Sequence, residues 1–166
     1  MSRDRQKLFQ ELANEVRAGQ RATDAVDEAA GEVLGINRTD GKIIDILDQH
    51  GRMSAGELAR HSALTTGAVT AVIDRLERAG YVRRVADPAD RRRVLVELTP
   101  QLKETLEALM GPLGEAGRPL LERYSDDQLE LLIEFTRISR EVQERHAAWL
   151  RERLREPLSA RAHPRS

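Results

Sequence analysis

The chain has 166 residues, a net charge of −1, 33% charged and 40% hydrophobic side chains, so it is globular and long enough for one buried core with extra helices. It has no cysteine, which excludes disulfides, thiolate nucleophiles, thiol redox sensing and cysteine-ligated zinc. Aromatics at 3% argue against a single-strand stacking platform, and the absence of a long apolar run or a signal-type N-terminus leads us to expect a cytoplasmic protein with no membrane partner.

Residues 3–34 are predicted to form one long helix. Leu8, Leu12 and Val16 recur every four residues with Phe9 beside them, and an alanine-rich stretch follows Gly19. Gly35 and Asn37 break the run, and Thr39 is the expected cap of a helix over 40–50 with Ile43, Ile44 and Leu47 on its apolar face. Gly51 ends that helix. Ser54 and Glu57 form a capping-box pattern for a short third helix that buries Leu58 and Ala59. After a turn at Ser62, Ala63 and Leu64, Thr65 or Thr66 caps a fourth helix running to about Ala79, with Ala68, Val69, Val72, Ile73 and Leu76 as its apolar stripe.

Gly80 suits the left-handed residue past a helix end. Residues 82–86 and 94–98 read as strands around the turn Asp87-Pro88-Ala89-Asp90-Arg91-Arg92-Arg93, which makes an antiparallel hairpin with arginines near its tip. Thr99 and Pro100 begin a fifth helix. Gly111, Pro112, Gly114, Gly117 and Pro119 are expected to kink it or break it in two. Ser125 and Gln128 open a last helix that carries Leu129, Leu132, Ile133, Ile138, Val142 and Trp149 and ends near Arg155.

The fold class expected is mainly α with a small β-hairpin wing: a winged helix-turn-helix core flanked by N- and C-terminal dimerisation helices. Residues 1–36 form the N-terminal dimerisation helix, 37–99 the DNA-binding lobe, 100–156 the C-terminal dimerisation helices, and 157–166 a disordered tail. The terminal helices carry more apolar faces than one winged-helix core can cover. Packing against a second copy is the economical solution; folding back over the chain's own core is the alternative.

Charge distribution points to DNA more than the total does. Residues 75–93 hold seven arginines against Glu77, Asp87 and Asp90, a local balance of +4. The start of the fourth helix exposes small or hydroxylated residues, which lets its backbone approach base edges in a major groove. Thr65, Thr66, Ala68 and Thr70 are the candidates for base reading. Ser54 and Thr65 mark helix N-termini that can meet phosphate, and Arg75 lies further along, toward the DNA backbone. Arg91, Arg92 and Arg93 suit a narrow minor groove, with Asp87 and Asp90 as acids that brace the turn. A Ca²⁺ or Mg²⁺ site at those two aspartates is opposed by the adjacent cations.

These residues resemble the MarR family of bacterial transcriptional regulators. The wing pattern of that family, D-x-x-D-x-R followed by a strand ending in Leu-Thr, is matched at Asp87, Asp90, Arg92, Leu98 and Thr99. Asp74-Arg75-Leu76 and Ala79-Gly80-Tyr81-Val82 are similar to the family's run after the recognition helix, whereas Leu102 stands where the family often has glycine. The resemblance implies a homodimeric repressor on a pseudo-palindromic double-stranded operator, with Arg92 at the minor groove. It also implies release by a small aromatic or phenolic effector bound between the dimerisation helices and the DNA-binding lobe.

No cofactor or metal is expected. His50, His61 and His146 offer themselves to a ligand, a proton switch or a metal, but no His-x-x-x-His or His/Asp/Glu cluster supports one, and Trp149 reads as a dimer-packing residue. A winged-helix protein-interaction module without DNA binding is the rival reading, and the arginine-rich turn speaks against it. No nucleophile–base spacing, phosphate-cradling glycine loop or paired carboxylate suggests an enzyme.

Overall fold

The computed structural model describes residues 3–154; the expected helix end near Arg155 and the tail over 157–166 lie outside the described residues. The elements are α1 (Arg3–Leu34), α2 (Arg38–His50), α3 (Ala55–Ser62), α4 (Thr66–Arg78), β1 (Val82–Ala86), β2 (Val94–Leu98), α5 (Pro100–Leu121) and α6 (Asp126–Leu154). They form two compact units, Met1–Gly111 and Pro112–Ser166.

The first unit contains the core. Ile43, Ile44 and Leu47 of α2, Leu58 of α3, and Val69, Val72, Ile73 and Leu76 of α4 are all buried. Val82, Val96, Leu98 and Leu102 close the cluster from the hairpin and the start of α5. Burying a side chain of this size contributes about 1.5–3 kcal/mol, so the wing is fastened to the helices by apolar surface. The strands pair antiparallel with Val82 opposite Leu98 and Ala86 opposite Val94. An isolated bridge, Met53 to Val96, adds a rung outside the two strands that a single residue in a loop did not announce.

The helix ends follow local chemistry. At the end of α1, Gly35 takes φ 66° and the Ile36 N–H reaches the Gly31 carbonyl at 2.9 Å. Asn37, not Thr39, caps α2. Its side chain accepts the Thr39 and Asp40 N–H groups, and the Asp40 carboxylate accepts the Asn37 N–H in return. Thr39 lacks such a partner because Lys42 stands three residues on, and lysine has no acceptor. Ser54 caps α3 in a full box with Glu57, and Thr65 caps α4. Thr99 caps α5, accepting the Leu102 N–H at 3.3 Å while donating to the Gly80 carbonyl.

Two further expectations are corrected. Ala68 is exposed and does not belong to the buried stripe, because it stands about 100° round the helix from Val69. Of the kink or break expected in α5, the break is overturned: α5 is one helix with Pro112 and Pro119 inside it. Each proline removes one donor, and the leucine, alanine and glutamate residues between them sustain the ladder.

The second unit takes in the rest of α5 and all of α6. Ser125 and Gln128 exchange hydrogen bonds at the start of α6, at 2.9 and 3.4 Å. No residue of α6 is buried, and Leu131, Leu132, Ile133, Ile138 and Val142 stand exposed along it. An open apolar hollow of about 460 Å³ lies between Leu121 and Leu129, Leu132, Ile133, Thr136, Arg137 and Arg140. Among the described residues, no helix is long and apolar enough to cross a membrane.

Candidate nucleic-acid interface

α4 presents two faces. Val69, Val72, Ile73 and Leu76 enter the core, leaving Thr66, Gly67, Ala68, Thr70 and Ala71 exposed at the other side of its first turns. The Thr65 hydroxyl accepts the Ala68 N–H at 3.2 Å, and the Thr70 hydroxyl donates to the Thr66 carbonyl at 3.0 Å. These bonds orient the two hydroxyls. A side chain at Gly67 would meet nothing within 4 Å, so the protein's own packing does not require glycine there.

The wing turn is braced from inside. Asp87 is buried; its Oδ1 accepts the Ala89 N–H at 2.8 Å and its Oδ2 lies 3.5 Å from Arg93 Nη1. Asp90 accepts the Arg92 N–H on its side chain at 3.0 Å and the Arg93 N–H on its carbonyl at 2.8 Å. These are aspartate turns, in which a side chain replaces the missing backbone partner. Arg93 also points to Glu57 of α3 at 3.6 Å, tying the wing to the first helix of the helix-turn-helix. Arg91 and Arg92 are exposed and have no ion-pair partner among the described residues.

Three residues marked for DNA are engaged internally. The Ser54 hydroxyl donates to Glu57 at 2.6 Å and accepts its N–H at 3.3 Å, so the positive end of α3 is already met by a carboxylate. The hydrogen bond from the Ser54 hydroxyl, then that from its N–H and the charges of Arg93 and Arg60, hold the Glu57 carboxyl below its ordinary pKa against a small opposing effect of burial. Arg75 pairs with Asp40, donating from Nε at 3.1 and 3.0 Å and from Nη2. That hydrogen bonding raises the Arg75 pKa further. Arg93 is the third, held as described above.

Other charged groups were not marked in the sequence. Glu97 is buried and takes Arg83 at 2.6 Å from the directly opposite position of β1, together with Arg52. Burial pushes the Glu97 pKa up, and the hydrogen bonds from Arg83 and Arg52 outweigh that and hold it below the ordinary value. Arg84 joins Asp74 and Glu77. The register was the available signal for Arg83 and Glu97: closing the hairpin at Ala86 and Val94 sets them opposite one another.

The remaining candidates lie apart. The His50 and His61 rings touch at 4.8 Å between centroids. His146 stacks on Trp149 at 5.2 Å, and the Arg153 guanidinium lies 4.6 Å from the indole centroid. Among the described residues, no three His, Cys, Asp or Glu side chains are grouped to hold a metal.

Residues 36–94 match the model of the MarR family. The chain is 43% identical over 117 residues to the HTH-type transcriptional regulator YcgE of Bacillus subtilis (strain 168), covering 70% of this chain and 76% of that protein. Other curated regulators are matched over about half of their length. Among solved structures, the transcriptional regulator BldR of Sulfolobus solfataricus aligns with a TM-score of 0.52 at 27% identity, over 85% of this chain and 99% of that one. NadR in complex with 4-hydroxyphenylacetate aligns with a TM-score of 0.56 at 22% identity, over 75% and 89%, a likeness of fold.

Proposed function

From the premise that the chain belongs to the MarR family and is a DNA-binding transcriptional regulator, we propose that it works as a homodimeric repressor on a pseudo-palindromic duplex. Residues 37–99 are the reading lobe, and 1–36 with 100–156 supply the dimer contact. Thr65, the cap of α4, and Thr66, Ala68 and Thr70 on that helix face base edges in the major groove. Arg91 and Arg92 anchor the wing at the minor groove, while Arg93, Asp87 and Asp90 hold its shape. Ser54 and Arg75 serve the lobe from within rather than through DNA.

One observation carries this reading: at a turn braced by buried Asp87 and by Asp90, two of three successive arginines have no ion-pair partner among the described residues. Exposed like charges side by side repel, and an anion relieves them. A small aromatic or phenolic effector is part of the proposal; the 4-hydroxyphenylacetate bound by NadR supports that class of molecule without identifying it for this chain.

The test is Arg92→Ala. Fluorescence anisotropy on a duplex recovered from a random pool should show weaker binding, with the slope of log K against log salt reduced by about one contact. A folded variant with unchanged affinity and slope removes the wing from the interface.

A further inference from the structure

Arg75 is the one arginine of α4 that reaches into the lobe to a buried acid, Asp40, which is only 2% exposed. That carboxylate has a second duty: it accepts the Asn37 N–H at 3.3 Å and so completes the cap of α2. Asn37 stands three residues after Leu34, the last residue of α1. A second tie reaches the same place. Tyr81, just beyond α4, donates its hydroxyl to the Leu34 carbonyl at 2.7 Å and its N–H to the Leu76 carbonyl at 2.9 Å.

We propose that Asp40 and Arg75 are positioning residues that lock α4 to the junction of α1 and α2, and thereby set where the reading face of α4 stands relative to the helix that leads into the dimer contact. This rests on the dimeric DNA-binding reading above. Cohesion alone does not call for the pair: apolar residues of similar volume at a buried ion pair are often as stabilising or more so. A guanidinium fork on a carboxylate adds geometry, because two donors in a plane fix rotation as well as distance. The lever is long. Thr66 lies nine residues from Arg75, roughly 13 Å along the helix, so a swing of about 10° at Arg75 moves Thr66 by about 2 Å. A base-edge hydrogen bond does not survive that displacement.

The experiment uses the full chain and the duplex it selects from a random pool, with versions whose half-site spacing is lengthened or shortened by about 2 bp from the roughly 34–36 Å repeat. Asp40→Asn and Arg75→Gln should each lose about tenfold in affinity on the selected site and most of the discrimination between spacings. The salt slope should stay unchanged, and the double variant should be no worse than either single. Arg75→Lys, which keeps the charge and lacks the fork, should behave like Arg75→Gln. Tyr81→Phe, which removes only the second tie, should weaken the discrimination less, and it keeps the test available if an Asp40 variant fails to fold by circular dichroism.

A lower salt slope in Arg75→Gln with an unaffected Asp40→Asn would make Arg75 a direct phosphate contact and overturn the proposal. So would an equal loss at every spacing, the mark of general destabilisation. If the unmodified chain itself shows no spacing preference, the dimeric reading fails first, and that result needs no variant to see.

Discussion

Gly67 stands in the first turn of α4 with open space where a side chain would be, in a helix that an alanine would favour. Four residues earlier in the same motif, Ala63 takes φ 56° at the turn, a left-handed conformation that glycine adopts at lower cost. Folding alone would exchange these choices. On the DNA-binding reading proposed above, a groove-facing position accounts for the first, since a methyl group there would stand between backbone and base. Gly67→Ala should therefore raise stability by about 0.5–1 kcal/mol in urea unfolding while weakening DNA binding severalfold. Equal affinity would place Gly67 outside the interface. At this scale the sequence was legible at the Ser54 and Glu57 capping box, whose partners are three residues apart, but not at the Asn37 and Asp40 box, where Thr39 offered a competing cap. The tie of Arg75 to Asp40 was not legible, because that partner lies 35 residues earlier, on another helix.

Among the elements, the hairpin was the most legible, since alternation and an Asp-Pro turn fix both strands and their register. The rung from Met53 was not, because one residue shows no periodicity. Glu97 joins the loop bearing Arg52 to β1 and should make the sheet pH-sensitive. Its folded pKa lies below that of a free glutamate, so its ionised form stabilises the fold above the unfolded value, and the contribution drains as pH falls through the folded one. Glu97→Gln should cost about 1 kcal/mol at pH 7, the low end for charged hydrogen bonds because both arginines are half exposed. The gap should be complete above the ordinary glutamate range and close as pH falls through the lower folded pKa, read by urea titration at each pH. A gap that persists in acid would assign the effect to packing.

On the scale of the whole molecule, six helices were foreseen from period and caps, yet how much apolar surface they leave uncovered emerged only in three dimensions. α6 buries none of its 29 residues, and α1 exposes Leu8, Phe9 and Leu12. Surface of this extent is expected to be covered. Sedimentation should give twice the chain mass of 18.7 kDa, and Leu132→Asp should shift the protein toward monomer with a matching loss of DNA affinity. A monomeric unmodified chain at micromolar concentration would refute the dimer. One feature of α5 bears on its mechanics. Pro112 and Pro119 withhold their donors from the carbonyls of Ala108 and Glu115, seven residues apart and hence nearly on one side of the helix. Two missing rungs on a single side give α5 unequal stiffness, so that it yields more readily in one plane than in the plane across it.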